Sequence, residues 1–370
     1  MRRIVALSVA LLMLVAACAG PLAQGTPRPA PTGDIRRAKL DIAYSAISDN
    51  DVHRVSSKKL LEAALDAVKA EARASGGKDD VPTPEFEDVS EFIFADFKKF
   101  AEAAGVLAAK NPQLTADRIA DAAINAMVRA TPDCHTYYVN RKGGQAPSGG
   151  VPAALPAPVE AAPAQTDEAG LQFRMIGGNV GYVTWREFVA TGTYSITNEV
   201  KKVLDRLLAQ GAKAWLFDLR GNIGGDPPQT MTSWFLDGEP IMTIQTRNGP
   251  AGTVTAKKEF RLPAAYQLPI AIILNRRGGS SPEVFAMGLK ENKRATIVGE
   301  KSVGCLGATN PVVLPDDTRI AVTVQEFVGA VTGTKYNNVG IPPDIPADDS
   351  SAIDVATKHL QEQIAKSRAP

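Results

Sequence analysis

The sequence predicts an α/β protein in which a helical N-terminal region precedes a sheet with helices packed on it. From residue 171 onward, short apolar runs alternate with segments of helical periodicity, which is typical of an α/β core. Before residue 140, apolar residues recur at intervals of three and four positions, which indicates amphipathic helices. The chain has 370 residues, and 44% of them are hydrophobic. That is enough apolar material for a packed core.

The first residues carry an export signal. Met1-Arg2-Arg3 is basic, residues 4–17 form an apolar run too short to span a bilayer comfortably, and small residues precede Cys18. This pattern resembles a bacterial lipobox, in which Cys18 would be lipidated and become the mature N-terminus. The alternative is an ordinary cleaved signal peptide with a chance cysteine. We therefore expect residues 1–18 to be a lipoprotein signal peptide and the protein to be exported to the cell envelope.

Two segments rich in proline and small residues separate the predicted folded parts. Residues 19–33 bury too little apolar surface to fold and are expected to be a tether. Residues 141–169 are rich in Pro, Ala and Gly and are expected to be a linker. Ala19, directly after the cysteine, resembles the residue found in lipoproteins sorted to the outer membrane. The expected location is therefore the outer membrane, facing the periplasm or the cell surface.

Residues 34–140 are predicted to form a helical N-terminal domain. One helical face follows Ser56 and Ser57, which are candidate N-caps. A second pattern runs from Phe86 to residue 101, and a third runs from Thr115 to residue 127. Pro132 should end the last helix, and the aromatic residues after it should begin a strand.

Residues 170–350 are predicted to form the α/β core, and residues 351–370 a terminal helix. Strands are expected at residues 172–176, 180–185, 214–219, 241–246, 253–261, 270–274, 295–299, 312–315 and 319–327. Helices are expected at residues 195–209, 230–235, 282–291 and 352–367.

A serine turn follows the buried strand at residues 270–274. Gly278 and Gly279 come first, then Ser280 and Ser281, then a helical pattern. A serine held at this turn could attack a carbonyl carbon. The first N–H groups of the helix lack internal partners and could bind the oxyanion that forms. The alternative is a glycine loop in front of an ordinary N-cap serine, with Glu283 as the capping-box acid.

Four further motifs accompany the serine turn. They are the helix end at residues 133–136 (DCHT), the glycine turn at 218–225 (DLRGNIGG), the turn at 298–307 (VGEKSVGCLG) and residues 340–345 (GIPPDI). The residues of these motifs and their order along the chain resemble the serine peptidase family of C-terminal-processing (tail-specific) proteases and the tricorn protease core. The resemblance covers residues 178–348 and residues 133–136. It implies a crotonase/ClpP-like core of stacked β-α units, and a peptide or protein substrate.

The resemblance also assigns site residues. Ser280 matches the nucleophile, and the N–H groups of Ser281 and of Gly225 (or Gly224) match the oxyanion hole. The C-terminal-processing branch uses a lysine where this chain has Cys305, and Lys301 lies at the wrong place in that turn. The tricorn-like branch uses a histidine, which is His135 here. The alternative for His135 is a structural residue at the helix end, and His53 and His359 are predicted to be solvated surface residues.

The chain departs from the family pattern at two further positions. Cys134 replaces a serine, and Asn337 stands near the slot of a glutamate, so Asn337 and Lys301 are accessory candidates. If the family geometry holds, Cys134 and Cys305 lie beside one active site and can pair in an oxidising compartment. Two free, buried cysteines are the alternative. The PDZ domain that many family members carry has no counterpart in residues 141–169.

Several function classes are disfavoured. The formal net charge is +1, so charge gives no argument for a nucleic-acid partner. No zinc spacing, nucleotide loop or other cofactor motif is present in the sequence. The leading hypothesis is therefore an envelope serine peptidase without metal or cofactor, anchored to the membrane by lipid. A catalytically inactive peptide-binding or scaffold lipoprotein is the alternative, and acyl-CoA chemistry on a similar sheet is a third. The sequence leaves the oligomeric state open.

Overall fold

The computed structural model describes residues 35–140, 145–146 and 169–368. The predicted signal peptide with Cys18, the tether at 19–33 and most of the linker at 141–169 lie outside the described residues. The described residues between 35 and 368 group as one compact unit. No helix of the described part has both the length and the apolar character needed to cross a bilayer.

Four helices make up the N-terminal region: α1 (Ile35–Asn50), α2 (Ser57–Ala74), α3 (Phe94–Lys110) and α4 (Ala116–Ala130). Ser56 is the N-cap of α2, and its side chain accepts a hydrogen bond from the N–H of Lys59, as predicted. Thr115 caps α4 in the same way. The predicted helix from Phe86 is wrong in its first turns, since α3 begins only at Phe94. Pro82 and Pro84 lie in the non-helical stretch before it, where they remove backbone donors.

The remaining elements alternate strand and helix. The strands are β1 (Tyr137–Val139), β2 (Gln145–Ala146), β3 (Gln172–Ile176), β4 (Val180–Thr184), β5 (Ala190–Thr191), β6 (Tyr194–Ser195), β7 (Ala214–Asp218), β8 (Pro240–Thr246), β9 (Gly249–Thr255), β10 (Ile270–Leu274), β11 (Thr296–Gly299), β12 (Gly307–Val313), β13 (Arg319–Gly329) and β14 (Ile345–Pro346). The helices are α5 (Ile196–Ala209), α6 (Gln229–Ser233), α7 (Ser281–Glu291) and α8 (Ala352–Arg368). Short 3₁₀ turns occupy Lys258–Phe260 and Ala264–Tyr266.

One sheet has the strand order β14-β11-β10-β7-β4-β3, and all neighbouring pairs except β3–β4 are parallel. Every residue of β7 and of β10 is buried, because helices cover both faces. Trp215 and Phe217 of β7 pack into the core beside α5 and α7. Leu216, on the opposite face, packs beneath α8. The predicted α/β class is confirmed.

The second sheet is antiparallel, with the order β2-β1-β13-β8-β9 and with β12 on the other side of β13. Tyr138, Ile320 and Val322 of this sheet pack against α1–α4 in one apolar cluster. This contact places the end of α4, and with it the segment at residues 131–136, against the long strand β13. The N-terminal helices therefore position part of the candidate site.

Two strand predictions differ from the structure. The expected strand at residues 253–261 is β9, which begins at Gly249 and ends at Thr255 before the turn at Lys258–Phe260. The expected strand at residues 312–315 is β12, which begins at Gly307. Its pairing with β13, from Gly307 opposite Glu326 to Val313 opposite Arg319, extends it through polar residues that carry no local strand signal.

Candidate active site

Ser280 lies between the carboxyl end of β10 and the first turn of α7. Its backbone has φ 72° and ψ −121°, a conformation that residues with a side chain rarely adopt. Holding it there costs about 1–3 kcal/mol, which the surrounding contacts must offset. The side chain remains partly exposed. A strained strand-to-helix turn that presents a serine has the geometry expected of a nucleophile.

The buried carboxylate of Glu283 holds the serine turn. One of its oxygens accepts the N–H of Ser280 at 3.1 Å and that of Cys305 at 2.7 Å. The other accepts the N–H of Gly304 at 2.7 Å and the hydroxyl of Ser302. Burial raises the pKa of the Glu283 carboxyl, and these four donors oppose that rise. Ser280 as N-cap and Glu283 at the third helical position do match the capping-box interpretation. Glu283 additionally ties α7 to the turn at residues 302–305.

The glycine turn after β7 packs directly against Ser280. A Cβ atom on Gly224 would stand 2.6 Å from the Cβ of Ser280 and 3.0 Å from its hydroxyl oxygen, so no larger residue fits. Asn222 is fully buried and shapes this turn, since its side chain accepts the N–H of Gly224 and donates to the carbonyl of Trp185. The sequence motif contained Asn222, but its role was not predicted.

Two backbone N–H groups beside Ser280 are free of partners within the described part of the chain, those of Gly225 and Ser281. The hydroxyl of Ser281 donates to the carbonyl of Gly225 at 2.9 Å and joins the two turns. Gly225 is exposed, which leaves its N–H accessible to a ligand. This arrangement can bind a negatively charged oxygen above Ser280.

His135 lies in the segment between α4 and β1, with its side chain 18% exposed. Both ring nitrogens are 3.4 Å from the Sγ of Cys305, and Nδ1 is 3.4 Å from the Sγ of Cys134. Burial lowers the pKa of the imidazole, against an opposing effect of Asp133. In the described residues no hydrogen bond joins this ring to the Ser280 hydroxyl. Cys305 lies next to the residue before Ser280, since a Cβ added to Gly279 would stand 3.0 Å from the Cβ of Cys305.

The structure pairs Cys134 with Cys305, whose Cα atoms are 5.9 Å apart although 171 residues separate them in sequence. Cys305 is buried and Cys134 is partly buried. The pair links the segment that carries His135 to the turn that Glu283 holds. The base candidate and the serine candidate are thus brought to the same region of the fold.

Asp133 positions the His135 segment. One carboxylate oxygen accepts the backbone N–H of His135 and lies 4.0 Å from its Nδ1, and the other oxygen is 3.0 Å from Nε2 of His53. His53 is therefore not the solvated surface residue that was predicted. Its polar sequence neighbourhood gave no indication of a buried partner 80 positions away. His359 is half-buried on α8, beside the hydroxyl of Thr296.

The accessory candidates occupy different places. Asn337 is buried, and its side-chain oxygen accepts the N–H of Leu306 at 2.9 Å, so it supports the turn next to Cys305. Its amide nitrogen has no partner among the described residues. Lys301 is exposed beside Gly340, and no hydrogen bond joins it to Ser280 in the described structure.

A buried carboxyl next to this network makes stability depend on pH. Asp51 accepts the N–H of His53, its other oxygen lacks a partner in the described structure, and burial raises its pKa to about 6. The charges that face it are His53, Asp133 and Arg247. A raised pKa means that the folded state binds the proton more tightly, so stability is lost as pH rises from about 4 to 6.

We therefore expect Asp51→Asn to stabilise the protein at pH 8 but not at pH 4. The increase in the free energy of unfolding should be about 2–3 kcal/mol larger at pH 8 than at pH 4, because the variant has no carboxylate charge to bury at position 51. Urea denaturation of both proteins at the two pH values measures it. An equal effect at pH 4 and pH 8 would contradict the raised pKa. Asp66→Asn, on an exposed position of α2, is the matched control.

Residues 179–347 match the family model Peptidase family S41. The chain carries an S41 peptidase domain. The matched segment contains the glycine turn, the serine turn and the Cys305 turn, whereas His135 lies before it. The predicted family relationship is confirmed.

Curated relatives of the S41 domain are C-terminal-processing proteases. The carboxy-terminal processing protease CtpA of Bacillus subtilis is 28% identical over 177 residues, which is 47% of this chain and 36% of that protein. The carboxyl-terminal-processing protease of Synechocystis sp. is 33% identical over 170 residues, which is 45% of this chain and 38% of that protein. The matched segments thus span little more than a third of these relatives.

Solved structures share the fold of the S41 domain and its helical region. A candidate peptidase from Parabacteroides merdae superposes with a TM-score of 0.56 at 15% identity, over 91% of this chain and 98% of that one. A lipoprotein from Streptococcus agalactiae gives a TM-score of 0.51 at 17% identity, over 83% of this chain and 97% of that one. At these identities the likeness concerns the fold alone.

Proposed function

We propose that the protein is a serine-type peptidase that hydrolyses peptide bonds in peptide or protein substrates. Ser280 is the nucleophile, His135 is the general base, and the N–H groups of Gly225 and Ser281 form the oxyanion hole. The observation that carries the proposal is the strained Ser280 between two unpartnered amides in an S41 domain. The two curated relatives described above are processing proteases by name, which supports the reaction class.

The reaction proceeds in two halves. The imidazole of His135 takes the hydroxyl proton as Ser280 Oγ bonds to the carbonyl carbon, and the carbonyl oxygen becomes an oxyanion between the two amides. The C–N bond then breaks, the leaving amine takes the proton from the imidazolium, and an acyl-enzyme remains. Water repeats the sequence, releases the acid and restores the serine.

The proposal requires the His135 ring to move. In the described structure the ring rests against the Cys305 sulfur, so it must rotate toward the hydroxyl, or act through one water, when substrate binds. The backbone of His135 is held by Asp133 and by the neighbouring Cys134, which leaves the side-chain torsions as the available motion. Asp133 is therefore a positioning residue in this proposal.

Labelling with a fluorophosphonate probe tests the nucleophile. The folded full-length chain should be labelled between about pH 6 and 9, because the probe reports an activated serine in that range. Ser280→Ala should abolish the label, and Ser350→Ala, at an exposed serine between β14 and α8, serves as the matched serine control and should keep it. Absence of labelling in folded wild type would instead support the inactive peptide-binding or scaffold lipoprotein. The absence of a His135–Ser280 hydrogen bond in the described structure favours that second candidate.

We further propose that the protein is a lipoprotein anchored through Cys18, in the outer membrane and facing the periplasm or the cell surface. The support is the sequence of residues 1–20 alone. Cells grown with an alkyne analogue of palmitate should incorporate it into the protein, and Cys18→Ser should remove the label. A Cys18→Ser protein that still carries the analogue would reject the assignment.

A further inference from the structure

We propose that Cys134, His135 and Cys305, once the two cysteines are reduced, form a binding site for Zn²⁺ or a similar thiophilic divalent ion. One thiolate sulfur from each cysteine and one ring nitrogen meet here, and the candidate ligand atoms all lie within 4.8 Å of one another. The sequence contains no zinc spacing, because Cys305 comes from a turn 170 residues after His135. The fold, and not a local motif, assembles the set.

The distances fit a tetrahedral ion. Zinc binds thiolate sulfur at about 2.3 Å and imidazole nitrogen at about 2.0–2.1 Å, so a sulfur and a nitrogen on one tetrahedral ion lie about 3.6 Å apart. Nδ1 of His135 is 3.4 Å from the sulfurs of both Cys305 and Cys134, and Nε2 is 3.4 Å from that of Cys305. The Cα atoms of the two cysteines, 5.9 Å apart, need little movement for their sulfurs to separate to about 3.8 Å around an ion.

The surroundings suit a soft cation. Cys305 is buried, whereas Cys134 and His135 keep partial exposure, so an ion and a fourth water ligand can enter. The side chain of Asn337 accepts the N–H of Leu306, and Glu283 accepts the N–H of Cys305. These two bonds fix the backbone at Cys305 and so preorganise the Cys305 thiolate.

The disulfide and the metal site are alternatives. Zn²⁺ binds thiolate sulfur, and the two cysteines provide thiolates only after the disulfide is reduced. A dithiol reductant passes two electrons and two protons to the disulfide and becomes a disulfide itself, which leaves two thiols in this protein. Binding of Zn²⁺ then releases the two thiol protons. A bound ion would also hold the ring nitrogen that the proposed mechanism needs, so the reduced, metal-loaded protein would be an inactive state.

Cobalt titration tests the site without any measurement of activity. Full-length protein carrying Cys18→Ser, so that Cys134 and Cys305 are its only cysteines, is reduced with a phosphine, desalted without oxygen and titrated with Co²⁺. We expect one Co²⁺ per chain, thiolate-to-cobalt charge-transfer bands in the near ultraviolet, and their loss when Zn²⁺ is added. The oxidised protein should give no such bands.

Variants identify the ligands. His135→Ala should weaken Co²⁺ binding about 100-fold or more, because one of three protein ligands is lost. His359→Ala is the matched histidine control and should bind normally. Ser280→Ala should also bind normally, so the metal site and the peptidase proposal can fail independently. Circular dichroism of each reduced protein checks that it is folded.

Two results would overturn the proposal. One is a folded, reduced protein that shows no charge-transfer bands at Co²⁺ concentrations well above that of the protein. The other is His135→Ala with unchanged affinity, which would show that two thiols bind the ion adventitiously. If reduced His135→Ala does not fold, the comparison of oxidised and reduced protein with the same sequence still tests whether the two thiols and the ring bind the ion.

Discussion

His135→Ala should slow fluorophosphonate labelling of Ser280 by about 10³-fold, because the general base that removes the hydroxyl proton is lost. Stopped labelling reactions, resolved by gel, give the second-order rate constant for each protein. His359→Ala provides the matched control and should label at the wild-type rate. Added imidazole should restore part of the rate of His135→Ala, which a purely structural histidine would not permit.

The pH profile should carry the signature of the same residue. Burial lowers the pKa of the His135 imidazole, so its neutral, base-competent form persists below the usual range of histidine. The labelling rate should therefore fall to half its maximum at a lower pH than an ordinary histidine base would give. A His135→Ala protein that labels at the wild-type rate would show that another base, such as Lys301, serves the serine.

Loss of the Cys134–Cys305 link should lower the free energy of unfolding by about 3–5 kcal/mol, since the pair closes a loop of 171 residues. The free energy of unfolding should fall by a similar amount in Cys134→Ser, in Cys305→Ser and in the double variant, because each of them lacks the same single disulfide. Urea denaturation with and without a phosphine reductant gives the values, and the reductant should affect only proteins that retain both cysteines.

Peptide mapping checks the pairing itself. A non-reduced digest of the native protein should contain one linked pair of peptides, with residues 134 and 305 in its two halves. Two unlinked peptides with free thiols would reject the disulfide. Single serine variants with native stability would show that the link contributes nothing to folding.

The sequence located the parts of the site that depend on local chemistry. The serine turn at Ser280 and the glycine turn after β7 can be predicted from local sequence alone. In each, glycines directly follow a buried apolar run, and that pattern indicates a turn at the end of a strand. The structure places these segments side by side, with Gly224 against Ser280. The oxyanion and nucleophile roles are predictions, and fluorophosphonate labelling tests them.

The parts that were missed depend on distant contacts. The partnership of His53 with Asp133 spans 80 positions, and nothing near His53 in sequence indicates that the α4–β1 segment covers it. The early part of β12 forms because β13 offers a partner, although residues such as Asn310 and Pro311 disfavour strands. Similarly, the position of the His135 ring against Cys305 follows from packing between the helices and β13.

Glu283 also fixes the turn at position 305 independently of the side chain at that position. Its contacts to the turn at position 305 reach the backbone amides of Gly304 and Cys305 and the hydroxyl of Ser302, and none of them touches the side chain at 305. A different side chain at position 305 would therefore leave all three hydrogen bonds in place. The turn can keep its shape while the chemical group that it presents beside the serine changes.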